Sequence, residues 1–112
     1  MARKPPKLKV TISPRALNTL DEIWEWNEKT YDTEHAENYV DFLKREVRGL
    51  ATAYHDGRFV ATAPELQYIT IRRNPRGHGH VAIYEIVGNN VIVLSFYHTS
   101  QDWQGKLARG EF

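Results

Sequence analysis

Tyr68-Ile-Thr-Ile-Arg-Arg-Asn-Pro-Arg-Gly-His-Gly-His-Val-Ala-Ile-Tyr84, followed by Val91-Ile-Val-Leu-Ser-Phe-Tyr-His-Thr-Ser-Gln-Asp-Trp103, decides the fold. Runs of β-branched and aromatic residues bounded by turn residues predict strands at about 67–73, 79–87 and 90–98. Asn74-Pro75-Arg76-Gly77 separates the first two, and Gly88-Asn89-Asn90 makes a hairpin of the last two. These strands gather Arg72, Arg73 and Arg76, His78, His80 and His98, and Tyr84 and Tyr97 on a short length of chain. So much basic and aromatic chemistry on one sheet points to an anionic partner, with RNA among the candidates. Both parities are apolar: Val81 and Ile83 against Ala82, Tyr84 and Ile86, then Val91 and Val93 against Ile92, Leu94 and Phe96. A sheet apolar on both faces needs a cover on each, from a partner or from the chain's own tails.

Upstream, Leu8, Val10 and Ile12 alternate with Lys7, Lys9 and Thr11, the period of a half-buried strand. Ser13-Pro14 then supplies an N-cap and a first helical residue. Leu17, Leu20, Ile23, Trp24 and Asn27 recur at helical spacing to about Thr30. Asp32 or Thr33 caps a second helix, with Ala36, Val40, Leu43, Val47, Leu50 and Tyr54 as its apolar stripe and Gly49 marking an early end or a close packing contact. The short link at 30–33 makes the two helices an antiparallel hairpin. Residues 55–65 hold Asp56-Gly57 and Pro64 and read as a loop. The expected class is α+β: an N-terminal strand, an antiparallel helix hairpin, then a three-stranded antiparallel meander completing one sheet, β-α-α-β-β-β. Residues 1–7 read as a flexible basic tail, 8–104 as a single domain, and 105–112 as a C-terminal tail with a frayed turn after Trp103.

The chain has 112 residues, 41% of them hydrophobic, enough for one modest core and too apolar for a disordered chain. No run of about 18 apolar residues is present to span a membrane. The basic start lacks a following apolar run, so no secretory signal is expected. There is no cysteine, hence no disulfide or thiolate metal site, which fits a cytoplasmic location. The net charge of +1 conceals segregation. Residues 1–14 hold four basic residues and no acid, residues 15–48 hold nine acids against five basic residues, and residues 66–84 hold three arginines and no acid.

RNA cleavage needs a base for the 2′-OH, an acid for the leaving oxygen, and cations at the scissile phosphate. Arg72, Arg73 and Arg76 are candidate cations; His78, His80 and His98 are candidate proton carriers; Tyr84 and Tyr97 are candidates for base stacking or proton donation. If 78–84 is one strand, His78, His80 and Tyr84 share a face, while Tyr97 and His98 point to opposite sides. Solvating charge explains the arginines equally well, as does anchoring an acidic partner segment. His78-Gly-His80 offers only two ligands with no nearby acid, so neither metal nor cofactor is expected. Trp24 and Trp26 read as hairpin packing and rim, and Trp103 as a lid on the core.

Four pieces in order carry a resemblance to a known family: Lys9-Val-Thr-Ile-Ser-Pro-Arg-Ala16, the helix hairpin, the segment Arg72 to Tyr84, and Leu94-Ser-Phe-Tyr-His-Thr-Ser-Gln-Asp-Trp103. Together they resemble the ParE/RelE superfamily of toxins from type II toxin–antitoxin systems, over nearly the whole chain from about residue 8. The resemblance implies a growth-inhibiting toxin neutralised by a partly disordered antitoxin that wraps it. ParE-like members act on DNA gyrase, whereas RelE-like members cut mRNA on the ribosome without a metal. The Asp102-Trp103 ending and the long hairpin look closer to the ParE branch. Two sets of site residues follow. The catalytic candidates are Arg73, Arg76, His80, Tyr84 and His98. The target- or antitoxin-binding candidates are Arg72, Arg73, Arg76, His78, Tyr97 and Trp103. A non-toxic binding module is the third reading.

Overall fold

The structure, a computed structural model, describes residues 6–111; most of the expected basic tail lies outside the described residues. Strand β1 (Lys9–Ile12) runs into helix α1 (Pro14–Thr30). Ser13 caps α1 as its sequence demands: the side chain accepts the Ala16 N–H at 3.2 Å. The same hydroxyl donates to the Leu94 carbonyl at 3.1 Å, which pins the helix start to the far end of the chain. Asp32 caps α2 (Thr33–Arg48), accepting the His35 N–H at 2.7 Å. The apolar stripe pauses at Gly49 and resumes as the single turn α3 (Leu50–Ala53).

The sheet has five strands rather than four. The expected loop at 55–65 contains β2 (Arg58–Val60), paired antiparallel with β3 (Ala63–Ile71). Strands β4 (His80–Val87) and β5 (Asn90–His98) complete the meander, joined through Gly88 at φ +59°. The spatial order is β1-β5-β4-β3-β2. The pairing β1–β5 is parallel, so the sheet is mixed and not purely antiparallel. The reason is topological: the helix hairpin carries the chain across one face before the meander begins, and the last strand returns beside the first.

The hairpin covers one face of the sheet. Leu20, Val40, Leu43 and Val47 pack there against Ala82, Tyr84, Val93 and Phe96. The other face carries a smaller core of Val60, Val81, Ile83, Tyr97 and Leu107, with Trp103 and Tyr68 packed on it. Its cover is the chain's own tail. The segment read as a frayed turn is helix α4 (Trp103–Ala108), capped by Asp102, which accepts the Gly105 N–H at 3.1 Å. The apolar second parity of β4 and β5 is thus satisfied within the chain.

One irregularity decides which side chains meet. Ile83 pairs with Ser95 but Tyr84 pairs with Val93, so Leu94 is an extra residue in β5. Alternation resets across this bulge. Val93 and Phe96 both face the hairpin, and His98 follows Phe96 to that side while Tyr97 goes to the other. Without the bulge Tyr97 and His98 would exchange faces.

Candidate functional site

Three elements converge where β3 ends, β4 begins and β5 ends, against the first half of α2. The strand β4 starts at His80, so His78 sits in the preceding loop and does not share the face of His80 and Tyr84. Gly79 makes the close approach possible. A Cβ there would stand 2.0 Å from the Ile71 carbonyl oxygen. Its own N–H donates to Thr99 Oγ1 at 3.0 Å and its carbonyl accepts the Thr99 N–H at 3.0 Å. These bonds lock the two strand ends together.

His80 pairs with His98 across the strands, and their rings meet edge-on with centroids 5.2 Å apart. The His98 ring lies 5.5 Å from that of His78. From α2, Tyr39 Oη stands 2.6 Å from His80 Nδ1. Burial raises the Tyr39 phenol above its ordinary value, against an opposing pull from Arg73, so the hydroxyl keeps its proton and shares a hydrogen bond with Nδ1. Burial, then the neighbouring His98, pushes His80 down to about 4. His80 is therefore neutral at physiological pH. His98 is lowered by burial and then by His78. Its Nδ1 accepts the Ser100 N–H at 3.2 Å, and an amide can only donate, so in the neutral ring Nε2 carries the hydrogen. The Ser100 hydroxyl sits on the same nitrogen.

The Arg73 guanidinium lies over two rings of α2, 5.5 Å from the Tyr39 centroid and 5.4 Å from that of Phe42. Arg72 and Arg76 are exposed. The turn between them closes on Asn74, whose side chain accepts the Arg76 N–H at 3.1 Å.

Two tyrosine candidates belong elsewhere. Tyr84 is fully buried in the hairpin-side core and donates to the Tyr54 carbonyl at 2.8 Å, so it can neither stack a base nor reach a substrate. Tyr97 is buried on the opposite face and donates to the Glu111 carbonyl at 2.7 Å. Trp103 packs on Tyr68 with ring centroids 4.6 Å apart, as a lid on the second core. Among the described residues, arginine, histidine and tyrosine do not line one open sheet face. The basic and imidazole groups sit at one end of the sheet, on the hairpin side.

As an acid–base set the cluster is engaged internally: Nδ1 of His80 is tied to Tyr39 and Nδ1 of His98 to Ser100. Tyr39 and Phe42, which organise this end, were missed by sequence reasoning. Their signal was an aromatic pair at i and i+3 on the flank of the α2 stripe. Among the described residues no group of three or more His, Cys, Asp or Glu side chains is placed to hold a metal.

A family model described as the ParE toxin of the type II toxin–antitoxin system parDE matches residues 10–103. The chain belongs to this ParE toxin family. No curated protein sequence matches this ParE chain. Among solved structures, the ParE chain is similar to one titled as a chromosomal ParDE toxin–antitoxin system from P. aeruginosa, at TM-score 0.71 and 18% identity. That match covers 84% of this ParE chain and 98% of the other. At that identity the likeness speaks for a shared fold. The matched residues run from within β1 through the helix hairpin and the sheet to Trp103.

Proposed function

We propose that this ParE-family chain arrests growth by binding DNA gyrase in the cytoplasm and that a cognate antitoxin neutralises it. The observation that carries the reading is the internal commitment of the nuclease candidates. Tyr84 and Tyr97 are buried with their hydroxyls bonded to carbonyls, and His80 is buried, neutral and held by Tyr39. What remains exposed suits contact with a protein. Trp26 and Tyr31 stand out at the tip of the helix hairpin, 60% and 59% exposed, with Tyr31 stacked on His35. Exposed aromatic side chains with few rotatable bonds are favoured anchors at protein interfaces. Arg72, Arg76 and His78 remain candidates for antitoxin or target contact.

The test is a supercoiling assay with purified gyrase and relaxed plasmid. The expected result is loss of supercoiling with accumulation of gyrase-linked cleaved DNA, relieved by the antitoxin. Unchanged supercoiling at a stoichiometric excess of toxin would count against the reading.

A further inference from the structure

We propose that an open trough between the C-terminal half of α2 and the β3–β4 turn binds the phosphate backbone of duplex DNA. It is lined by Asn38, Asp41, Lys44, Arg45, Arg48 and Arg73 and encloses about 660 Å³. From Asp41, the members Lys44, Arg45 and Arg48 follow at three, four and seven residues, with Asn38 three before it, and so lie on one face of α2. From Asp41 to Lys44, Arg45 and Arg48 the face runs about 10 Å along the helix at 1.5 Å per residue. Four cations and one carboxylate line it.

Three observations distinguish this trough from an ordinary solvated helix face. First, among the described residues no carboxylate stands within ion-pair distance of Lys44, Arg45, Arg48 or Arg73, although Asp41 shares the trough; the ion pair found is Arg109–Glu111, far along the chain. The four cations are therefore unpaired among the described residues, although Lys44 also lines the adjoining groove with Asp21, Glu37 and Asp41. Second, Arg73 is held over Tyr39 and Phe42 at 5.5 and 5.4 Å, so its fork is oriented before any ligand arrives. Third, Arg73 comes from a different element than the other three. Its position there owes nothing to the preference of a helix C-terminus for cations, which by itself accounts for Arg45 and Arg48.

The chemistry favours duplex over single strand. Proteins that hold single strands offer aromatic faces on which bases stack. The two rings beside this trough are already covered by Arg73. What is left among the described lining residues is a row of cations without a free aromatic ring, which is a phosphate-backbone contact without base readout. The C-terminal end of α2 carries partial negative charge, so the attraction comes from the side chains alone. The binding is therefore weak and strongly dependent on salt. It extends beyond the gyrase reading and does not depend on it, because the probe is DNA by itself.

The experiment is fluorescence anisotropy of a labelled duplex of about 20 base pairs, titrated with the purified full chain at several salt concentrations. Four neutralised phosphates predict a slope of about −3.6 in log K against log salt, or about a 150-fold loss of affinity between about 50 and 200 mM. Arg45 and Arg48 are exposed, so Arg45→Ala/Arg48→Ala leaves the core intact. In that variant the slope falls to about −1.8 and the loss to about 12-fold. Arg58→Ala, an exposed basic residue on β2 outside the trough, leaves the slope at its wild-type value. Absence of duplex binding at the lowest salt overturns the proposal. So does a slope unchanged in the double variant, which would place the contact on other basic residues. Tighter binding to a single strand of equal length overturns it as well. Competition by poly-glutamate as effective as by unlabelled duplex would make the trough a site for acidic protein segments and would equally overturn it.

Discussion

Acidification should destabilise this fold through His80, by an amount that follows from its position. The imidazole is 8% exposed, shares a hydrogen bond with Tyr39, and is pushed by burial from 6.5 down to about 4. The unfolded chain protonates this group near pH 6.5 and the folded chain only near pH 4. Between those values the unfolded state binds more protons, so stability rises with pH across the window. The contribution is complete above about pH 7 and is lost progressively as pH falls. Linkage gives a loss of about 2 kcal/mol by pH 5 and about 3 kcal/mol by pH 4. Against a typical domain stability of about 5–15 kcal/mol this is a large fraction. The assay is urea denaturation at pH 7.5, 6 and 5 on the wild type and on His80→Gln. The glutamine carries an uncharged acceptor for Tyr39 and no titration in this range. The difference between the two pH slopes isolates His80 from the carboxylates and from His98. The variant should lose about 2 kcal/mol less than the wild type between pH 7.5 and 5. Parallel slopes would refute the claim that His80 is buried and neutral, whatever the variant's stability at neutral pH.

Three further outcomes follow from particular contacts. Gly79→Ala places a Cβ against the Ile71 carbonyl, 2.0 Å away, and should cost well over about 1 kcal/mol in denaturant unfolding; a neutral result would contradict the close approach of β3 and β4. Ser13→Ala removes both the cap to Ala16 and the bond to Leu94 and should cost about 1–2 kcal/mol by the same measurement, with a smaller loss showing that the link to β5 contributes nothing. Tyr84→Phe should lower stability by about 1 kcal/mol yet still arrest growth on induction; a folded but harmless variant would return Tyr84 to the candidate catalytic residues.

Much of this architecture was legible because local chemistry and global fold agree. The alternation from Leu8 to Ile12, the Ser13-Pro14 start, Asp32 at the second cap and the Gly88 hairpin each specify their element within a few residues. Strand β2 was hidden by punctuation. Arg58–Val60 is only three residues long, flanked by Gly57 and followed by Pro64, the chemistry of a loop. Gly57 is there for Tyr84: a Cβ at that position would meet the phenol oxygen at 2.0 Å. Helix α4 was hidden by its brevity, by Gly105, and by a single buried apolar residue, Leu107.

The parallel pairing of β1 with β5 joins residues some eighty positions apart, and no local signal encodes it. The site was harder still. Both parities of β4 and β5 are apolar, so period alone does not say which face meets the hairpin. The Leu94 bulge then exchanges the parities of Tyr97 and His98. The residues that anchor this end, Tyr39 and Phe42, belong to a segment whose overall charge is acidic. That same averaging obscured Lys44, Arg45 and Arg48, which the helix gathers on one face and Arg73 joins from forty residues' distance or less. Charge counted along the chain located the acid-rich segment but not the basic trough within it.

The central claim is that this ParE-family toxin acts by binding its target and not by cutting RNA. The most direct measurement induces the chain without its antitoxin and examines DNA and RNA from the same culture. The account predicts protein-linked double-strand breaks that depend on gyrase, with translated messages intact. Codon-phased cleavage of mRNA without those breaks, abolished by Arg73→Ala or His98→Ala, would contradict it.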